Sequence, residues 1–390
     1  MTITSLSRFV CFCLLLSSLN NYAGRYLYTI GNAFGNTVIG FEIQDDGSLV
    51  QLPGSPWETG GWGLTVTPFT QNGLIASKDG KYLFAINILT NNISVFRIAD
   101  DGTLTQVPDS PFDTGGQVPS CMALSDDIMY VAHLGTNLNF CVECDYRGLF
   151  WDETNETLTP IPDSVIPLPV NPPGFVLAVD FAPDGVNMLG ARVGDHKIDS
   201  FMLDKDTGLL EPAPGSPFDS VVTQPLGFAF SPVNDSQVFV SNLVELDERP
   251  GLLSSFLRSG STGQLAPIPG APYTTGDQGA ACWIVLTSDG KNLYTTNTRS
   301  DSLTRYTTNP DGTLNFIEVV DVPKIDELND EPLDMIITGD DQFLYLVNGG
   351  IGGMVGYRIH EDGSLSLAPG PQPTPFATDS APFGLVYIEK

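Results

Sequence analysis

Basic residues are scarce in this sequence. Its 390 residues carry 17 Lys+Arg against 46 Asp+Glu, a formal net charge of −29. A surface this acidic repels polyanions, which excludes nucleic acid and anionic membranes as partners. Histidine is scarcer still: with only 3 in the chain, a histidine-rich metal centre is excluded. No apolar run of about 18 residues occurs beyond the N-terminus, so no internal membrane span is expected. No long stretch carries a 3.6-residue period, so helices are expected to be few. A Gly-x-Ser-x-Gly elbow is also missing, which argues against a conventional serine hydrolase.

Cysteine is sparse too. Residues 1–23 read as a secretory signal, with Arg8 in the positive start, an apolar stretch over 9–16 and small polar residues up to Ala23. The mature chain, residues 24–390, is then secreted or periplasmic and keeps Cys121, Cys141, Cys144 and Cys282. That is too few for a disulfide scaffold. The Cys141-Val142-Glu143-Cys144 phrase has no second pair to complete a zinc site. Read as a strand, it points its cysteines to opposite faces. Ordinary thiols, or a disulfide to a neighbouring strand, are expected.

What the chain does have is glycine, 40 residues, and proline, 30, set among 42% hydrophobic residues. They fall in a repeat. Asp46-Gly47-Ser48-Leu49 returns as Asp101-Gly102-Thr103-Leu104, Asp311-Gly312-Thr313-Leu314 and Asp362-Gly363-Ser364-Leu365. Weaker copies centre on Glu156, Gly208 and Gly263. The spacing defines seven units of about fifty residues. Each unit holds four β signals separated by turns and ends in a Pro-rich tail. The chain opens on the second strand of a unit, at Arg25, and ends on an orphan first strand around Phe383-Gly384-Leu385. The expected fold is all-β: a seven-bladed β-propeller of four-stranded antiparallel blades, with the C-terminal strand closing the first blade.

Those phrases resemble the lactonase-type seven-bladed propellers, which include bacterial 6-phosphogluconolactonases and fungal carboxymuconate-cyclising enzymes. The resemblance rests on Asp79-Gly80-Lys81-Tyr82-Leu83-Phe84, on the Gly54-Ser55-Pro56-Trp57 and Gly215-Ser216-Pro217-Phe218 tails, and on Ala280-Ala281-Cys282-Trp283, the last similar to a secreted branch. It implies lactone chemistry with no metal and no organic cofactor. One departure matters: where phosphogluconolactonase-like members show Gly-Pro-Arg-His, this chain reads Gln224-Pro225-Leu226-Gly227. Catalytic groups therefore do not transfer residue by residue.

The second strands end in a comparable slot, held in turn by Gly31, Asn87, His133, Arg192, Asn242, Asn297 and Asn348. An asparagine there has a structural reading, as a cap on the following turn. His133 and Arg192 break the pattern on the face that surrounds the channel mouth. Lactone hydrolysis needs a base for water and a donor for the developing oxyanion. His133 and Glu245 are candidate bases and Arg192 a candidate oxyanion clamp. Trp283, Arg249 and Arg299 are candidate substrate contacts. The structural alternatives are His133 as a turn residue, Arg192 paired with Asp195, and Trp283 as packing between blades.

His196 reads as a surface or ladder residue and His360 as a turn residue. The acidic run over 326–331 lacks the spacing and glycine of a calcium loop and reads as solvated. Asn92, Asn155 and Asn234 open glycosylation sequons. Two functions stay open: a secreted lactonase-like hydrolase or cycloisomerase for a small carbohydrate or organic-acid lactone, or a non-catalytic propeller that binds protein or glycan on the channel-mouth face. A monomer is expected in either case. A channel-facing His–Arg–carboxylate cluster favours the first, and a channel filled by side chains favours the second.

Overall fold

The computed structural model describes residues 24–66, 70–136, 141–244, 250–323, 331–350, 352–370, 374–376 and 381–390. Seven antiparallel sheets follow one another along the chain. Blade 1 takes its second, third and outer strands from Arg25–Ile30, Thr37–Ile43 and Leu49–Gln51. Its innermost strand is Phe383–Glu389, from the other end of the chain. The two termini pair from Arg25↔Glu389 to Ile30↔Phe383, so the expected closure of the ring is observed.

Stacking the blades face to face explains their sequence pattern. The second strands Tyr82–Asn87, Ile128–His133 and Phe343–Asn348 bury every residue, because each lies between two neighbouring sheets. They accordingly read as unbroken apolar runs ending in one polar residue. Third strands such as Asn92–Ile98 bury all but their rim positions.

The repeated tails have a local cause. The outer strand of most blades is broken in two, for example Leu104–Gln106 and Phe112–Asp113, both paired with Asn92–Ile98. At the break a third-strand amide loses its ladder partner, and a serine hydroxyl accepts its proton instead. Ser55, Ser110, Ser164 and Ser216 do this for Gly40, Val95, Gly148 and Ser200, at 2.9 to 3.0 Å. Blade 6 has no such tail, and its outer strand Leu314–Asp321 runs unbroken.

The Asp-Gly turns join one blade to the next. Asp46, Asp101, Asp311 and Asp362 each accept the amide two residues on, and glycine follows in the left-handed region, with φ of 77° to 90°. The glycine carbonyl then receives a tyrosine hydroxyl from the preceding blade. Tyr28 bonds Gly102 at 2.6 Å, Tyr130 bonds Gly208 at 2.8 Å, Tyr294 bonds Gly363 at 2.6 Å, and Tyr345 bonds Gly47 at 2.8 Å across the closure. Blade 2 has Phe84 at this position, edge-on to Trp151 of blade 3.

Removing one such bond leaves a buried carbonyl unpaired, at a cost of about 1–2 kcal/mol. Tyr345→Phe should lower the unfolding free energy by that amount, read as a lower urea midpoint at unchanged slope. A midpoint equal to the wild type would show that these bonds do not tie the blades together.

Candidate functional site

The slot at the end of the second strands is buried throughout, and its polar groups point into the blades. Asn87 shows the ordinary case. Its amide bonds Asn92 and Ser94 at 2.8 Å, while its oxygen accepts from Thr59 and from Asn36 of blade 1. It thus fixes both the turn it precedes and the loop that enters its own blade.

His133 does the same work with a different shape. The ring is fully buried, its Nδ1 lies 3.0 Å from Asp145 Oδ1, and Gly116 covers it so closely that a Cβ there would sit 2.5 Å away. Arg147 bonds the other Asp145 oxygen through Nε at 2.9 Å and also reaches the Gly115 carbonyl. Burial pushes the Asp145 carboxyl up, but the bonds from His133 and Arg147 prevail and hold it below the usual carboxylate range.

Arg192 is 7% exposed and is enclosed by two carboxylates of its own blade. It bonds Asp195 through Nε and Nη2, and Asp199 through Nη1 at 3.0 Å. Asp199 also accepts the Tyr146 hydroxyl of blade 3 at 2.8 Å, and burial still pushes its pKa up to about 6.

Trp283 is buried on the inner strand Ala281–Leu286, packed into the main apolar cluster with Leu226, Leu243 and Leu333. Arg299 is exposed on the blade 6 turn of the same face. Glu245 and Arg249 lie outside the described residues, as does nearly all of the acidic run over 326–331. The structure therefore sets His133, Arg192 and Trp283 in three separate blade interiors and does not converge them on an open face.

The mouth of the channel is crossed by chain. Gln71, leading into the inner strand of blade 2, bonds the Phe228 backbone of blade 5 in both directions, at 3.2 and 3.3 Å. Its amide bonds Leu177 of blade 4, and Asn72 bonds Val179 at 2.8 Å. Asp334, on the inner strand of blade 7, accepts the Gly384 amide in the seam with blade 1. Burial pushes its pKa up to about 7.

What is open on this face lies to one side. A cavity of about 380 Å³ is lined by Leu134, Phe175, Leu177, Val193, His196 and Gln224, between blades 3, 4 and 5. His196 occupies the left-handed turn position, φ 62°, that Asn91 and Asp301 fill in blades 2 and 6. Its Nδ1 lies 3.1 Å from the Val193 carbonyl and 3.2 Å from the Gln224 amide nitrogen, and the tautomer decides which of the two it bonds. The backbone thus engages one ring nitrogen and leaves Nε2 for a ligand. Sequence reasoning placed His196 on the surface. The signal that marks it out is a histidine at a turn position that other blades give to Asn or Asp.

The cysteine expectation is corrected. Cys141 and Cys144 are joined to each other, 5.1 Å apart at Cα, and lie on a tight turn where Cys141 and Glu143 take φ of 48° and 64°. No strand alternation separates them. The turn packs on the cavity wall, with Cys144 Sγ 3.0 Å from the Leu134 carbonyl. Cys121 and Cys282 are buried thiols outside any disulfide, and burial pushes the Cys121 thiol up to about 12. Among the described residues no His/Cys/Asp/Glu group is placed to hold a metal.

The family model described as "Lactonase, 7-bladed beta-propeller" matches residues 18–144 and 178–375. None of the curated proteins compared matches the sequence. Among solved structures, the periplasmic gluconolactonase of Pseudomonas aeruginosa superposes with a TM-score of 0.73 at 18% identity, covering 93% of this chain and 99% of that one. A proposed 6-phosphogluconolactonase of Bacteroides uniformis gives 0.73 at 17%, covering 94% and 99%. A Lactobacillus plantarum protein gives 0.70 at 17%, covering 94% and 100%. Identities this low establish a common fold.

Asp334 makes stability depend on pH in a defined sense. Its folded pKa of about 7 lies above the free value of 3.8, so its contribution is full below pH 4 and is lost as pH rises through 7. Asp180 and Asp199, both pushed up to about 6 by burial, act in the same direction. Asp334→Asn should raise the unfolding free energy at pH 8, by on the order of 2–4 kcal/mol, and flatten its fall between pH 4 and 8. A variant whose stability tracks the wild type across that window would show that Asp334 ionises without cost.

Proposed function

The chain belongs to the seven-bladed lactonase β-propeller family, and from that premise we propose that it binds and hydrolyses a small uncharged lactone in the cavity of blades 3 to 5. The observation that carries this reading is the His196 ring, its Nδ1 engaged by backbone, set among Phe175, Leu177 and Val193. With Nδ1–H donating to the Val193 carbonyl, Nε2 is the lone-pair nitrogen that can take a proton from water and pass it to the leaving alkoxide. Apolar walls favour a lactone bearing an alkyl or other unhydroxylated ring face.

Phosphorylated and multiply charged substrates suit the site least. Among the described residues no cation lines the cavity, and Arg192 is already neutralised by Asp195 and Asp199. His133 and Arg192 then act as supports for the loops that bound the cavity rather than as groups that touch substrate. Arg299, exposed on the same face, is a candidate for its rim, and Glu245 and Arg249, outside the described residues, remain candidates from the sequence alone. The acidic surface and the reading of residues 1–23 as a signal fit a monomer that works outside the cytoplasm.

A binding propeller without catalysis is the second reading. Gln71 and the apolar side chains that close the channel mouth favour it, because they leave no channel-facing cluster of His, Arg and carboxylate.

Titration at constant pH of γ- and δ-alkyl lactones, with 6-phosphogluconolactone beside them, separates the two. Turnover of the alkyl lactones should fall about 10²-fold in His196→Ala, with the phosphorylated lactone at background. Arg192→Met should lower the unfolding midpoint while leaving KM unchanged. Turnover that survives His196→Ala would overturn this placement of the site, and binding without turnover would establish the second reading.

A further inference from the structure

A second cavity lies in the central channel, on the far side of the Gln71 crossing. It encloses about 250 Å³, and its walls come from the inner strands: Ile75 of blade 2, Leu124 of blade 3, Ile336 of blade 7 and Leu385 of blade 1, beneath Asn72. These four inner-strand side chains are half-buried, so the axis of the ring is accessible there. Into this space, walled by apolar side chains and polar backbone, projects one half-buried acidic side chain, Asp180, from the inner strand Val176–Phe181 of blade 4.

Among the described residues no cation stands beside Asp180. One of its oxygens accepts the amide of the next residue, Phe181, at 2.8 Å, and Asn72 adds a side-chain bond. Blades 1, 2, 3 and 7 present apolar side chains to the cavity, and their backbone adds polar surface. Tyr387, the other titratable residue lining the cavity, turns its hydroxyl to Glu389 at 3.2 Å. Asp334 stands two residues along the strand from Ile336 and is turned into the seam with blade 1, against Gly384. A carboxylate in such surroundings bears a desolvation cost that a cation carrying its own apolar body would offset. Burial accordingly pushes its pKa up to about 6. The chain's net charge of −29 concentrates cations at its surface and so feeds the channel.

We propose that this half of the channel is a binding site for a small primary alkylammonium ion, its ammonium on Asp180 and its alkyl chain among Ile75, Leu124, Ile336 and Leu385. The site is independent of the lactone cavity: the two lie on opposite sides of the Gln71 crossing and share no residue. Because the ammonium pairs with the ionised carboxylate, binding displaces the Asp180 proton, and affinity rises with pH through 6.

Calorimetric titration of the full mature protein with n-butylammonium chloride tests this, with 1-butanol as the uncharged analogue, in about 0.15 M salt to screen the surface charge. At pH 7.5 the ammonium should bind at least tenfold more tightly than the alcohol, and it should weaken about tenfold by pH 5. Asp180→Asn should remove the preference for the cation while leaving the alcohol unchanged. Equal affinity for the two ligands, or cation binding that survives Asp180→Asn, would overturn the proposal. Should that variant fail to fold, the wild-type pH dependence decides alone, and a flat profile between pH 5 and 7.5 overturns it as firmly.

Discussion

Closure of the ring by Phe383–Glu389 is the constraint on which the rest of the structure depends. A single blade is a twisted four-stranded sheet with two apolar faces and two open edges, and it cannot bury either face alone. Seven blades in a ring cover every face, and pairing the last strand with the first leaves no blade without its inner strand. The tyrosine-to-glycine bonds repeat the same linkage at the rim, with Tyr345 carrying it across the junction of the termini.

Burial on both faces has a second consequence. Polar side chains that end the second strands lie inside the stack, and several find their partners there. Asn87 does so with four neighbours, His133 with Asp145, and Arg192 with Asp195 and Asp199. Groups with the right chemistry for catalysis are thereby engaged in holding loops. The inner ends of the blades close over the axis as well, through Gln71, Asn72 and the apolar cluster around Trp283. The cavity proposed for a lactone lies away from the axis at the junction of blades 3, 4 and 5, where the histidine of a tight turn lines its wall.

The architecture was legible in the sequence because its causes are local. Asp-Gly turns, serine-proline tails and six-residue apolar runs each follow from bonds within one or two strands, and they recur at a fixed spacing. Even the closure could be read, since the chain begins at Arg25 with a second strand and ends with an unmatched first one. The site was less legible because its causes are not local. That Gln71 reaches Phe228, 157 residues away, depends on which lead-in bends over the axis. That His133 faces inward depends on Gly116 from the preceding loop. The Cys141–Cys144 bond depends on a turn where the pattern suggested a strand. His196 was passed over because its role depends on Phe175, Val193 and Gln224, which the fold alone brings beside it.

The chain's three histidines permit a direct test of where a lactone binds. With the imidazole rings labelled, the 13C–1H spectrum of the mature protein should show one signal each for His133, His196 and His360. Titration with an alkyl γ-lactone should move the His196 signal alone, leaving the buried His133 and the rim residue His360 in place. A shift confined to His133 would contradict the account and return the site to the channel mouth.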